Sequence, residues 1–224
     1  RPNADPFRVG ERVTLMMSYF AVSAGDLSMY VLPHVEVNGY KSYHMKVTVK
    51  SSDLFSMFYA VDDFAETFIR YDDMIPFNYA VNANESKQLL AIRAATDWKN
   101  LKSWRWERVV RKGEEAKERK TEWDIAEFSQ NVISGFFYIR NFKLTVGKKI
   151  QFPVADDGKN MVVNIEVLRK DKISTPLGDF KTVVIKPTIQ IGGNFQPMGD
   201  VFFWLTDDDR KFIVRMESQI KIGK

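Results

Sequence analysis

Along most of this chain apolar residues recur at every second position, and each such run ends on residues suited to a tight turn. Val13, Leu15, Met17 and Tyr19 share one face of an extended segment, and Leu27, Met29 and Val31 repeat the pattern. Asn38-Gly39 follows, a dipeptide that tolerates the positive φ angles of a two-residue hairpin. Tyr43, Met45, Val47 and Val49 then form the face of a returning strand. "AETFIRYDDMIPFNYAV" (65–81) and "DVFFWLTDDDRKFIVRMESQIKI" (200–222) each read as strand, acidic turn, strand, and Asp157-Gly158 marks another hairpin. The stretch 53–63 is denser in apolar residues and reads as a bend or a helical turn. Strand-helix alternation of the kind that builds a parallel sheet is missing.

These patterns predict a mainly β protein: a single antiparallel, strongly curved sheet, barrel or half-barrel, in one domain over 6–224. One helix is expected around 124–136. Ile125, Phe128, Val132 and Phe136 fall three to four residues apart there, Asp124 is the expected N-cap, and Gly135 ends or interrupts the helix. Two echoes hint at related halves, about 6–123 and 143–224, joined by that helix. "RVGERVTL" near the start resembles "TVGKKIQF" at 145–152, and the two strand-acidic turn-strand units resemble each other.

Composition narrows the function. With 45% hydrophobic and 28% charged residues, the chain is globular rather than disordered, and 17 phenylalanines favour strands. The 33 basic and 29 acidic side chains are interspersed, with no basic stripe for nucleic acid. The lack of cysteine excludes disulfides, thiolate metal sites and cysteine nucleophiles. No apolar run approaches the roughly 18 residues of a membrane span. The sequence starts at Arg1, which fits a removed signal peptide or a trimmed chain.

"KSWRWERVVRKGEEAKERKTEW" (102–123) sets three tryptophans among eight basic and five acidic residues. Gly113 sits mid-stretch and spoils a helix, whereas alternation on both sides of a loop suits a hairpin. Its expected pairing places Trp123 near Trp104 and Trp106 as a cross-strand cluster. Other chemistry is thinly represented. His34 and Glu36 could share a strand face but lack a third metal ligand, and the Asp pairs lack the calcium-loop pattern and suit turns. Asp62, Asp63 and Glu66 are the only clustered carboxylates near aromatics that a glycosidase could use. Catalytic residues, metal and cofactor are not expected.

In order along the chain, "PFRVGERVTLMMSYFAVSAGDLSM", "SSDLFSMFYAVDDFAETFI", "MIPFNY", "NVISGFFYIRNFKLTVGKKIQFPVADDGK", "TPLGDFKTVVIKP" and "WLTDDDRKFIVRMES" resemble an exported bacterial family, domain of unknown function 3108. The loop at 111–120 and Trp98, Trp104 and Trp106 do not match that pattern. The resemblance implies a periplasmic or outer-envelope protein, exported through a removed signal peptide, with no established activity. At the level of fold, the meander is similar to the half-barrel of lipoprotein carriers.

The expected function is therefore non-enzymatic: an apolar or glycan envelope ligand bound on the concave face of the sheet. Tyr19, Phe55, Phe58, Tyr59, Trp104, Trp106 and Trp123 are the candidate lining residues. The alternative is a structural or adaptor protein that binds a partner protein through a sheet edge or the Trp hairpin 102–123.

Overall fold

The computed structural model describes residues 5–19, 22–192, 194–196 and 200–219, with only the backbone of Tyr19, Asn194–Gln196, Asp200 and Gln219. Eight strands form a first sheet in sequence order: β1 (Arg12–Tyr19), β2 (Val22–Val37), β3 (Tyr40–Ser51), β4 (Asp62–Arg70), β5 (Pro76–Glu85), β6 (Gln88–Asp97), β7 (Lys102–Arg111) and β8 (Lys117–Asp124). A second sheet contains β9 (Lys149–Asp156), β10 (Lys159–Thr175), β11 (Gly178–Ile191), β12 (Asn194–Gln196), β13 (Asp200–Thr206) and β14 (Ile213–Gln219). Its order is β14-β13-β11-β10-β9, with β12 paired to β11. Helix α1 (Asp53–Ser56) joins β3 to β4, and α2 (Val132–Tyr138), extended by a 3-10 turn at Ile139–Asn141, lies between the sheets in sequence.

The mainly β, antiparallel architecture agrees with the alternation. The expected single sheet does not: there are two, and neither closes into a barrel. The break has a local cause. A continuous sheet would pair β8 with the free edge of β9, but Gln130 occupies that edge. Gln130 N–H donates to Pro153 O (2.9 Å), and Ala155 N–H donates to Gln130 O (2.8 Å).

The helix also starts later than the periodicity predicts. Asp124 pairs with Lys102 as the last residue of β8, and Ile125 N–H still donates to Leu101 O (2.8 Å). Phe128 adopts φ +58°, which no helix accommodates. The actual cap is Asn131, whose side chain accepts from Ser134 N–H (2.8 Å) while Ser134 Oγ accepts from Asn131 N–H (2.9 Å). The turns fall where expected, with Asn38-Gly39 at φ +52° and +78° and Asp157-Gly158 at +50° and +72°.

One core joins the sheets. Val31, Tyr43, Met45 and Ile69 of the first sheet pack with Ile165, Val167, Ile185 and Leu205 of the second and with Phe137 of α2. The inner face of β1–β4 is thus covered. Two polar clamps flank this core. Glu11 is held between Arg140, bonded through Nη1 (2.5 Å) and Nη2 (3.1 Å), and Arg210 Nη2 (2.8 Å). Beyond β4, the turn after β9 meets the inner face of the first sheet: Tyr79 donates to Asp156, and Arg105 pairs with Asp157 (2.8 Å) and Glu107 (2.5 Å). Burial first, and then the Asp156 charge, push the Tyr79 hydroxyl far above its ordinary range, so it stays a hydrogen-bond donor.

Candidate functional site

In an up-and-down meander alternate turns lie at the same end of the sheet. The turns β2–β3, β4–β5 and β6–β7 therefore gather with the segment after β8. Between them lies an open cleft of about 690 Å³, lined by Asn38, Tyr40, Arg70, Asp73, Ile75, Phe77, Thr96, Asp97, Trp98, Lys99, Leu101, Glu127 and Phe128. That volume is within the range of small-ligand sites.

Aromatic faces form its walls. Tyr40 is 47% exposed and lies 5.8 Å from buried Phe77. The Arg70 guanidinium lies 4.9 Å from the Tyr40 ring centre and 5.9 Å from that of Phe77. Asp73 fixes that guanidinium through its Nε (2.8 Å) and Nη2. Trp98 is anchored by its indole N–H to Pro76 O (2.8 Å), which holds its ring at the rim. Phe128 is 58% exposed.

The backbone around this cleft is unusual. Asn38, Leu101 and Phe128, all lining residues, and Met74, beside Asp73, have φ values of +52°, +51°, +58° and +64°. The left-handed region costs a side-chain-bearing residue energy, and such strain clusters where a surface must hold a ligand. Leucine, methionine and phenylalanine lack the local hydrogen bonding that makes this region easier for asparagine.

Asp97 does not behave as a proton donor. The Asn100 side chain, aided by the N–H groups of Asn100 and Lys99, holds its carboxyl below the usual range, so it remains an ionised cap of the loop. Lys99, exposed at the loop tip, and Glu127 add polar groups to the rim.

Of the seven residues expected to line a site, the six whose side chains are described do not come together. Phe55, Phe58 and Tyr59 lie in or beside α1, at the opposite end of the first sheet, where Phe58 is 81% exposed and Tyr59 donates to Glu85 (2.6 Å). A smaller cleft of about 250 Å³ near them is lined mostly by polar residues, including Ser51, Asp62 and Glu85. The side chain of Tyr19 lies outside the described residues. The stretch 102–123 is the expected hairpin, but its register separates the tryptophans. Trp104 pairs with Glu122 and Trp106 with Lys120, whereas Trp123 pairs with Ser103. Trp104 and Trp106 therefore occupy the outer face and Trp123 the inner one, and the expected cluster of three does not form.

The acidic candidates are split as well. Asp62 and Glu66 point to the outer face of β4, where Glu66 bonds His44 Nε2 (2.8 Å), while Asp63 points inward and accepts from Asn84 N–H (2.9 Å). His34 packs against the rings of Tyr43 and Tyr71. Among the described residues no three His, Cys, Asp or Glu side chains gather as a metal site, and no helix is long and apolar enough to cross a membrane.

Fold and cleft together define a class: a two-sheet antiparallel β-protein with an aromatic cleft where its alternate turns converge. The chain belongs to the family described as Protein of unknown function (DUF3108), whose family model matches residues 14–224. No curated protein and no solved structure matches it.

Proposed function

We propose that this protein is a non-enzymatic, exported cell-envelope protein that binds a glycan in the cleft between its alternate turns. The observation that carries the reading is the convergence of exposed Tyr40 and Phe128 and half-buried Trp98 with polar groups on four separate loops. Sugar rings present C–H faces that stack on aromatics and hydroxyls that need donors and acceptors at the rim. Arg70, Asp73, Lys99 and Glu127 supply the latter. An apolar acyl chain has a weaker claim on this protein, because the inner face of β1–β4 that could shield it is packed against the second sheet and α2.

Isothermal titration with soluble peptidoglycan fragments and envelope oligosaccharides tests the reading. Saturable binding by the wild type, weakened about tenfold in Tyr40→Ala, is the expected result; one lost stacking contact is worth about 0.5–1.5 kcal/mol. Binding that is unchanged in that variant contradicts it.

The adaptor reading draws support from the other end of the first sheet. Leu54, Met57 and Phe58 are 60%, 79% and 81% exposed within five residues, which is unusual for a surface without a partner. The edge strand β8 is less suited to that role, since Lys117, Arg119 and Lys120 line it with charge. Cross-linking in an envelope extract separates the two: loss of a protein adduct in Phe58→Ser favours the adaptor, and an adduct that persists removes this patch.

A further inference from the structure

The two turns that open the sheets make the same hydrogen bonds. Gly10 N–H donates to Val31 O (2.9 Å) and Val31 N–H to Glu11 O (3.0 Å); Gly147 N–H donates to Val167 O (2.8 Å) and Val167 N–H to Lys148 O (3.0 Å). The two glycines have φ +87° and +82°.

Strand registers agree at several points beyond these turns, although the bulge between Met17 and Ser18 has no match between β9 and β10. Val13 pairs with Met29 as Ile150 pairs with Ile165, and Val31 pairs with Met45 as Val167 pairs with Ile185. Tyr43 pairs with Ile69 as Val183 pairs with Leu205. The irregularity between Phe68 and Ile69 recurs between Trp204 and Leu205.

The acidic turns correspond too. Tyr71 N–H donates to Lys41 O and Asp207 N–H to Lys181 O, both at 2.9 Å, and the left-handed residues Met74 and Lys211 precede the next strand in each. Matched registers, turn bonds and a shared bulge are not a property of antiparallel sheets in general, whose bulges fall at positions fixed by each sequence.

We infer that the chain is one five-stranded unit used twice, over residues 8–85 and 145–219, and that the first copy alone is built for the ligand, through Tyr40, Arg70 and the added strands β6–β8. This inference rests on the glycan reading of the cleft and assigns it to particular side chains. Matched positions that serve the fold keep their character: Met45 and Ile185 are fully buried, as are Ile69 and Leu205.

At the corner beside the acidic turn the character changes. In the second copy buried Val184 and Trp204 form an apolar cluster with half-buried Phe180 and Val214, and Thr206 caps the turn by accepting from Phe212 N–H (2.9 Å). The matched residues of the first copy are Tyr40, His44, Phe68, Phe77 and Arg70. Here Arg70 replaces the threonine, Tyr40 gains a hydroxyl, and the loop 98–101 between β6 and β7 supplies Trp98 as the far wall. Strands β6–β8 have no counterpart among the described residues of the second copy. The fold tolerates Phe and Thr at this corner, so Tyr40 and Arg70 answer to something other than the fold.

The test exchanges residues between copies. Swapping the core pairs (Met45→Ile with Ile185→Met, Ile69→Leu with Leu205→Ile) should move Tm by no more than about 5 °C, as for volume-conserving core changes. The double variant Tyr40→Phe, Arg70→Thr should keep Tm near that of the wild type and bind the peptidoglycan fragments at least about tenfold more weakly. A large drop in Tm for this variant makes Arg70 a structural residue and overturns the inference, as does undiminished binding. If the wild type binds none of the sugars, the glycan reading fails on its own. The two Tm comparisons then still test the part of the inference that does not need the sugar: collapse of the core swaps rejects the repeated unit, and collapse of the corner variant rejects the division of labour.

Discussion

Two corners of this molecule share a backbone and differ in what fills it. Around Trp204 the space is filled by Phe180, Val184 and Val214, with Arg215 lying over the indole ring at 5.0 Å. Around Phe68 the matched space opens: His44 stacks on the ring at 4.5 Å, Arg70 stands where Thr206 stands in the other corner, and the surface continues into the cleft. The same strands and the same bulge can thus be finished either as an apolar cluster or as the flank of an open cleft. What decides is the side chain at a few positions and the strands added beside them.

The comparison is most sharply broken at the opening turns. Glu11 and Lys148 occupy the same place, but Glu11 is buried between Arg140 and Arg210 while Lys148 is exposed. Glu11→Ala leaves buried guanidinium charge uncompensated and should cost about 3–5 kcal/mol in urea denaturation. Lys148→Ala should stay within about 0.5 kcal/mol. Similar costs for the two would mean that the triad does not fasten α2 to both sheets.

Next in size is the pair of corner aromatics. Trp204→Ala should cost about 3–5 kcal/mol, since its ring is buried and its indole N–H donates to Asp171 (3.0 Å). Phe68→Ala, at the half-buried match, should cost about half as much. Equal losses measured by urea denaturation would show that the first corner is core as well.

The smallest effect concerns Asp63, whose carboxyl burial, with help from Glu85 and Asp62, lifts above its usual range in spite of the Asn84 N–H bond. A carboxyl raised in the folded state contributes stability below its unfolded pKa and loses it as pH rises through the folded value. Asp63→Asn keeps the acceptor and removes that loss. The variant should be more stable than the wild type at pH 7 and lose the advantage by about pH 3–4. The gain should remain under about 1 kcal/mol because water reaches the group. Denaturation curves at both pH values check the sign.

The period-2 alternation at Val13–Tyr19 and Tyr43–Val49 and the dipeptides Asn38-Gly39 and Asp157-Gly158 made the strands and hairpins legible from sequence, because these are local properties. The break between sheets was not legible, since it depends on Gln130 reaching the edge of β9 from a segment whose spacing imitates a helix. Register escaped for a similar reason. A shift of one residue across the loop at 112–116 decides whether Trp123 faces Trp104 or turns away, and composition does not fix it. The cleft was half legible. Turns at 38–39 and 72–73 were readable, and alternate turns of a meander share an end, so Tyr40 and Phe77 could have been gathered by that rule alone. The left-handed backbone at Leu101 and Phe128 could not, as neither residue type announces it.

The most direct measurement follows the five indole N–H signals of Trp98, Trp104, Trp106, Trp123 and Trp204 in a heteronuclear NMR titration with peptidoglycan fragments. Only Trp98 lines the cleft. A saturable shift of the Trp98 signal, with those of Trp104 and Trp106 on the outer face unmoved, is the result the glycan cleft predicts. Shifts confined to Trp104 and Trp106, or none at all across the sugars tried, would contradict it.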